Sequence, residues 1–315
     1  MPWKTWSAER LGIALAILAA LGFSLKAIFV KLAYSVAPVD PITLLTLRMT
    51  FALPVVLVVA LVTRRSAPPL SLRDWGILIL LGLLGYYGSS ILDFMGLQYV
   101  SAALERLILF TYPTITVLIG VVAMGKTMDK RQMGALVLTY AGIGLAFVHD
   151  LHLAEDAAAV MVGAAFVFGS ALLYASYSAG TEIAVRRLGA IRFATLGITV
   201  STVATQLHFV ASQPFSALVQ PAPVYLYAAG MAIFSTVLPV FWQSAAIHRI
   251  GAARAVLIGT LGPIMTIALG GLLLSEPVSA MQLTGAGLVV AGVLLVTGWR
   301  ISPRRKRRAA EVSAT

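Results

Sequence analysis

Long apolar runs alternate with short polar breaks along most of the chain. Prolines mark several of these breaks, as at Pro38 and Pro41 and again at Pro221 and Pro223, and such prolines are typical of turns. A helix needs roughly 20 apolar residues to cross a lipid bilayer, and ten of the runs approach or exceed this length. The pattern therefore predicts an all-α membrane protein with ten transmembrane helices, which we call spans 1 to 10. They cover residues 11–33, 41–62, 75–97, 102–124, 131–148, 160–183, 190–211, 223–246, 253–274 and 280–299.

The second half of the sequence repeats the first half at a fixed spacing of 150 residues, and the alignment needs no gap. A self-match at a fixed period is the signature of a duplicated structural unit. Residues that are identical between the two copies form the pairs Pro113 and Pro263, Thr116 and Thr266, Gly120 and Gly270, Gln132 and Gln282, and Gly142 and Gly292.

We therefore divide the chain into a first five-helix repeat, residues 1–150, and a second five-helix repeat, residues 151–315. Because five is an odd number, the second repeat enters the bilayer in the opposite sense to the first. Inverted repeats of this kind are a common plan for secondary transporters, with the binding site near the middle of the bilayer between the repeats. We expect alternating access, in which the two halves rock about that site.

The composition agrees with a chain that is dissolved in lipid. Of its 315 residues, 59% are hydrophobic and only 11% are charged, whereas a soluble domain carries about 25% charged residues. The chain has no cysteine, which excludes disulfides and cysteine metal sites. The first apolar run is longer than the apolar region of a signal peptide, about 7–15 residues, so we interpret it as a retained helix.

The net charge of +11 comes from basic residues that lie on one side of the predicted bilayer. Nineteen of the 23 Lys and Arg residues lie at the two termini or in alternate breaks, and the five opposite breaks contain none. This asymmetry predicts a multi-pass protein of the plasma membrane, the inner membrane of a bacterium, with both termini in the cytoplasm. We expect no nucleic-acid partner. The basic tail is expected to contact anionic lipid in the bilayer.

Four segments of the sequence resemble the drug/metabolite transporter superfamily, specifically its EamA-domain proteins with ten helices. They are Phe23–Leu32, Leu47–Arg48, Ser101–Ala103 leading to Pro113, and Gly251–Ala253 leading to Gly262 and Pro263. The resemblance extends over nearly the whole chain. It implies the inverted ten-helix fold and the export or exchange of a small metabolite, with amino acids as frequent cargo. Basic residues on spans 1 and 2 recur in such proteins, so Lys31 and Arg48 could serve folding as much as cargo.

Among the charged residues inside the predicted spans, five share one layer of the outer half of the bilayer, and Lys31 lies nearer its outer edge. An ionisable group there costs at least about 2.5–3.5 kcal/mol, which makes each of them a candidate for function. Their equivalents in the second repeat are neutral where the repeats align, so the fold itself does not require the charges. The five residues are Lys26, Arg48, Asp93, Glu105 and Arg106.

Two readings of this layer remain open. In one, the charges pair internally, for example Arg48 with Asp93 and Lys26 with Glu105, and stabilise the first half. In the other, they line the transport pathway, where they hold a substrate carboxylate or relay a proton through Asp93 or Glu105. The layer contains three basic residues and two acids, so one positive charge is in excess, which suits an anionic or zwitterionic cargo. We expect Arg106 to extend outward rather than pair with its neighbour.

Prolines and aromatic residues inside the spans suggest a cavity. Pro113, Pro239 and Pro263 each free a backbone carbonyl that must face protein or a water-filled space, so they mark a cavity wall, a hinge or a packing kink. Aromatic and amide side chains away from the bilayer surfaces suit a site for a medium-sized organic solute, although plain helix packing also explains them. These side chains are Tyr86, Tyr87, Tyr112, Tyr174, Tyr177, Trp242 and Gln243.

Spans 5 and 10 contain many small residues and few polar ones, so we expect them to form a scaffold or the seam of a homodimer. The chain lacks a phosphate-binding loop followed by Lys-Ser/Thr and lacks His-Glu-x-x-His, which excludes the common ATP motor and zinc-protease motifs. We expect no cofactor, no metal and no enzymatic activity. The predicted function is secondary transport of a small polar or amphipathic metabolite. The alternatives are a receptor, a scaffold, a lipid scramblase or an enzyme acting on lipid-linked substrates.

Overall fold

The computed structural model of the protein describes residues 2–64, 70–124 and 129–297, and these residues form helices without any strand among them. Arg65, Lys126 and the basic C-terminal tail, which contribute to the predicted charge asymmetry, lie outside the described residues. In the described part the α-helices are α1 Pro2–Val36, α2 Pro41–Arg64, α3 Leu72–Leu81, α4 Ser89–Gly96, α5 Ala102–Leu109, α6 Tyr112–Met124, α7 Lys130–Leu153, α8 Ala157–Leu188, α9 Ala190–Ser212, α10 Ala222–Ala232, α11 Leu238–Ile250, α12 Ala252–Gly259, α13 Gly262–Leu273 and α14 Ala280–Thr297.

Two of the long helical segments contain a turn of π-helix, and a short 3-10 helix covers Phe215–Leu218. The π-helix Gly82–Gly88 joins α3 to α4, and the π-helix Ile233–Val237 joins α10 to α11. Each therefore lies within a continuous helical segment, Leu72–Gly96 or Ala222–Ile250. Helical turns of this kind are rare and frequently occur at functional sites.

Within the described residues, eight helical segments are long and apolar enough to cross a membrane, and they cover the first eight predicted spans. The last two predicted spans lie on shorter apolar segments, Leu257–Leu273 and Ala280–Leu295. The prediction of an all-α, multi-span membrane protein is confirmed. The number of ten membrane crossings and the inverted arrangement of the two halves stay predictions.

Local sequence explains where several helices begin. Ser71 and Asp74 form a reciprocal capping box at the start of α3, and Asp129 and Gln132 form another at the start of α7. Such boxes satisfy backbone N–H groups that have no partner within the helix. Between α11 and α12 the chain turns at Gly251, whose φ of 82° lies in a region that favours glycine because it has no Cβ.

The two halves of the chain pack closely against one another. Helix α1 contacts α5 of its own half, and it also contacts α10, α11, α12 and α13 of the other half. Helices α7 and α14 pack with very close backbone contact, because Gly142 lies against the backbone of Gly285 and Gly292 lies against Thr139. These glycines therefore allow close contact between two helices of the same chain. The prediction of a homodimer through α7 and α14 is not tested by this contact.

The spacing of 150 residues reappears as matching irregularities in the two halves. The helical path is broken at Phe110 and Thr111, between α5 and α6, and again at Thr260 and Leu261, between α12 and α13. The two π-helices also lie at nearly equivalent positions. The repeated sequence is thus accompanied by a repeated pattern of breaks, and the first break directly follows α5, which carries Glu105 and Arg106.

Candidate functional site

A half-buried lysine links two buried carboxylates from different helices. Nζ of Lys26, on α1, lies 2.7 Å from Oδ2 of Asp93 on α4 and 3.2 Å from Oε1 of Glu105 on α5. The Asp93 side chain is 1% exposed and the Glu105 side chain is fully buried, whereas Lys26 retains 16% exposure. Breaking a buried pair is costly because it leaves an uncompensated charge, so this contact must strongly constrain the relative positions of the three helices.

The structure gives Arg48 different partners from those that the pairing hypothesis offered. Asp93 lies against Lys26, and Nε of Arg48 instead donates a hydrogen bond to Oγ1 of Thr236 at 3.0 Å. The guanidinium group also lies 5.6 Å from the centre of the Phe94 ring. Thr236 belongs to the π-helix of the second half, so Arg48 connects α2 to the irregular turn between α10 and α11.

Arg106 is turned into the protein, so the expectation that it extends outward was wrong. Its side chain is only 8% exposed, and its guanidinium group lies 5.0 Å from the centre of the Phe110 ring. A Cβ atom added to Gly262 would lie 2.8 Å from Nη2 of Arg106, so the guanidinium group rests directly against the start of α13. The glycine at position 262 leaves the space that this inward orientation requires.

The two helix breaks place their prolines at the starts of new helices. Pro113 is the second residue of α6 and Pro263 is the second residue of α13, whereas Pro239 lies just after the π-helix inside the continuous helical segment Ala222–Ile250. A proline in the first helical turn removes no hydrogen bond, because the N–H groups there have no partner within the helix. At the second break, the hydroxyl of Ser24 on α1 donates to the carbonyl of Gly262 at 3.1 Å. Whether the three prolines act as hinges stays a prediction.

Four of the predicted tyrosines form one continuous cluster, which we call the tyrosine row: Tyr86, Tyr177, Tyr174 and Tyr112. The hydroxyl of Tyr177 donates to that of Tyr86 at 3.0 Å, and the ring centres of Tyr174 and Tyr177 are 5.4 Å apart. Tyr112 meets Tyr174 edge to face at 4.8 Å. Tyr112 also contacts Phe110 at 6.3 Å, so the row continues through Phe110 to Arg106.

The other predicted pathway residues lie apart from the tyrosine row. The hydroxyl of Tyr87 lies 2.6 Å from Nδ1 of His208 on α9. Trp242 and Gln243 are half-buried on α11. The structure therefore brings together some of the predicted site residues and places Tyr87, Trp242 and Gln243 elsewhere.

A small, mostly apolar cavity of about 20 Å³ lies between α2, α9 and α11, and its lining includes Val56, Ile198 and Val237. None of the five buried charged residues lines this cavity. We consider the charged layer the better candidate site, because a mostly apolar cavity of this size has no room for an organic solute and offers little to orient a polar one.

At one end of the protein, an acid from the second half contacts the start of a helix in the first half. The backbone N–H of Ala102 donates to Oε1 of Glu276 at 3.0 Å, and Ser101 N–H donates to Asp150 at 3.2 Å. Lys31 donates to the carbonyl of Val100 at 3.0 Å, so it too is held by the protein. Negative charge is favourable at a helix N-terminus, which explains the position of Glu276.

Sequence reasoning missed several partners in these contacts. Thr236, Phe94 and Phe110 are ordinary helix-packing residues by pattern, and only their contact with a guanidinium group distinguishes them. Glu276 appeared as one of several acids that mark the non-basic breaks. The sequence places Glu276 in the break between spans 9 and 10. Its contact with Ala102, 174 residues away along the chain, has no local signal in the sequence.

Burial raises the pKa of Glu276 above its ordinary value, and Asp150 adds to this, while the N–H of Ala102 and Lys31 oppose it. The folded state therefore binds this proton more tightly than the unfolded chain. The contribution of Glu276 to the free energy of unfolding is fully present below about pH 4.3, the ordinary pKa of a glutamate. It is lost as the pH rises through the raised pKa of the folded state. We expect the wild type to lose thermal stability over this window relative to Glu276→Gln, measured by thermal unfolding in detergent.

Glu155→Gln is the matched control for this prediction, because Glu155 is exposed in a turn that, like Glu276, lies between two helices. We expect this variant to follow the wild type across the same pH range. Parallel pH profiles of the wild type and Glu276→Gln would contradict the assignment.

Comparison with known proteins identifies the family. Residues 10–148 and 161–298 match the EamA-like transporter family, so the match covers most of both halves. The chain belongs to the EamA-like transporter family. Membership of this family indicates a transporter rather than an enzyme, and it agrees with the resemblance seen in the sequence.

Two similar proteins from Bacillus subtilis (strain 168) carry the names of uncharacterized transporters. YcbK is 30% identical over 286 residues, which cover 88% of this chain and 89% of YcbK. YyaM is 25% identical over 281 residues, which cover 88% of this chain and 92% of YyaM. A crystal structure with 17% sequence identity matches with a TM-score of 0.60 over 96% of this chain and 98% of its own, which supports the fold alone.

Proposed function

We propose that this EamA-like transporter is a secondary transporter of a small polar or amphipathic metabolite. Amino acids and related compounds are the first candidates, moved by export or exchange. In this proposal the chain crosses the bacterial inner membrane ten times, with both termini in the cytoplasm and with two inverted five-helix halves. Alternating access exposes a site between the halves to each side of the membrane in turn.

The observation that carries this proposal is the charged layer of the first half, from which Arg48 and Arg106 contact residues of the second half. Asp93 and Glu105 are almost fully buried, and Arg48 and Arg106 are each only 8% exposed. The aligned residues of the second repeat are neutral, so a helical bundle of this kind can be built without them. Charges that are costly within a bilayer and unnecessary for the fold support a role in binding or moving a polar solute.

Counterflow into liposomes tests the proposal. The purified protein is reconstituted, and a panel of labelled amino acids and related solutes is supplied to liposomes that contain the same unlabelled solute. We expect saturable counterflow for at least one solute of the panel. Linear flux across the whole panel would contradict transport. Lipid exchange without solute flux would favour a scramblase, and solute binding without flux would favour a receptor.

We also propose that protons move through Asp93 or Glu105, since both carboxyl groups share one lysine in a buried position. The double variant Asp93→Asn and Glu105→Gln keeps the shape of both side chains and removes both titratable carboxyl groups. We expect it to lose the pH dependence of counterflow. A double variant whose rate still follows pH as the wild type does would exclude proton coupling through these residues.

A further inference from the structure

Arg106 lies where the irregular parts of both halves meet. It is on the last turns of α5, beside the break at Phe110 and Thr111. Its guanidinium group also lies against Gly262, directly after the break between α12 and α13. Helix breaks within a bundle offer backbone groups and space that regular helices do not, and they recur at transporter binding sites.

Within the part of the chain that the structure describes, the guanidinium group of Arg106 forms no ion pair with an acidic side chain. Among the described residues, none of its nitrogen atoms forms an ion pair within 4.0 Å, and its Nε has no hydrogen-bond partner. The acids Glu105 and Asp93 are within electrostatic range of Arg106, but both contact Lys26 instead. A buried guanidinium group with an unpaired donor is unfavourable, and an anionic ligand would supply the missing partner.

Aromatic rings lie beside this donor. Phe110 lies under the guanidinium group at 5.0 Å, and Tyr112 continues from Phe110 into the tyrosine row. Arg106 is also within electrostatic range of Tyr112 and Tyr174. An anion bound at Arg106 would therefore place any apolar part of the same molecule near several aromatic faces and edges.

We propose that Arg106 binds the carboxylate of an organic solute and that the tyrosine row contacts the apolar body of the same molecule. This inference rests on the proposed transport function and adds the chemical class of its cargo. The equivalent of Arg106 in the second repeat is Val256, so the repeat supplies this guanidinium group only once. The cargo accordingly carries one carboxylate that the site must recognise.

Matched carboxylate and amide probes test this inference. Binding of 3-phenylpropionate and of 3-phenylpropionamide to the full-length purified protein is measured by calorimetry, and hexanoate and hexanamide form an aliphatic pair. Because a hydrogen bond to a charged group is clearly stronger than a neutral one, we expect each carboxylate to bind at least about tenfold more tightly than its amide. We expect the aromatic pair to bind more tightly than the aliphatic pair.

Three variants assign the preference to Arg106. Arg106→Gln should abolish the preference for the carboxylate, and Arg106→Lys should retain part of it, because lysine keeps the charge but not the planar fork of donors. Arg254→Gln is the control, since Arg254 is 65% exposed and pairs with Glu9 at 2.6 Å. This control should bind as the wild type does. If Arg106→Gln does not fold, as judged by thermal unfolding, Arg106→Lys alone tests whether the carboxylate preference depends on Arg106.

Two results would overturn the inference: equal affinities for the carboxylates and their amides in the wild type, or an unchanged preference in a folded Arg106 variant. Saturable counterflow of neutral or cationic solutes without a carboxylate preference would overturn the inference and leave the proposed transport intact. A carboxylate preference without flux of any solute would support the site at Arg106 and contradict transport.

Discussion

Methionine in place of Lys26 should lower the free energy of unfolding by about 3–5 kcal/mol, the range measured when one partner of a buried ion pair is removed. Lys26 contacts both Asp93 and Glu105, whose side chains are 1% and 0% exposed. Without the ammonium group, both carboxylates would remain in a poorly solvated position with no contacting cation. Thermal and denaturant unfolding of the purified protein would measure the loss.

A compensated variant separates this explanation from a simple packing defect. Lys26→Met combined with Asp93→Asn and Glu105→Gln removes the lysine and both negative charges together. If uncompensated charge causes the loss, the triple variant should recover most of the stability, because two neutral amides cost far less to bury than two carboxylates. A triple variant that is no more stable than Lys26→Met would indicate that packing of the lysine stem is the main contribution.

Alanine in place of Gly142 should destabilise the protein by about 1–3 kcal/mol, because α7 and α14 have no room for a methyl group between them. The added Cβ would meet the backbone carbonyl of Gly285 and would lie 3.0 Å from side-chain atoms of Leu288 and Val289. A backbone carbonyl cannot rotate away as the end of a flexible side chain can. The same unfolding measurements would detect the change.

Gly144→Ala is the matched control for this effect. Gly144 lies on the same helix as Gly142, and a Cβ at this position has nothing within 4 Å. We expect the control to be neutral or more stable by up to about 1 kcal/mol, since alanine favours a helix more than glycine does. Equal losses at the two positions would mean that the contact between α7 and α14 does not explain the effect.

The positions of the helices could be predicted because the signals are local. An apolar run, a proline in a break and a capping residue each act over a few residues, and all ten predicted spans lie on helical segments of the structure. The repeat also indicated where irregular structure would recur, since Pro113 and Pro263 follow the two helix breaks. The π-helices were not predicted, because their sequences contain no pattern that distinguishes them from an α-helix.

The contacts within the charged layer could not be predicted in the same way. The position of Lys26, Asp93 and Glu105 within apolar runs of the sequence was enough to single them out as charges inside predicted spans. It did not determine that one lysine contacts both acids, because this depends on how α1, α4 and α5 are rotated about their axes. The inward orientation of Arg106 likewise depends on Gly262, which lies 156 residues further along the chain.

By itself the sequence determined that this protein is helical and embedded in a membrane, and it identified the charged residues whose placement within a bilayer costs free energy. Hydrophobic length and charge act residue by residue, so a linear chain is enough to read them. Only the tertiary structure decided which charges are paired: Lys26 contacts two acids, whereas Arg106 lies against the Phe110 ring and forms no ion pair with any of the described residues. Pairing requires side chains to meet within a few ångströms, and only the packing of distant helices creates such contacts.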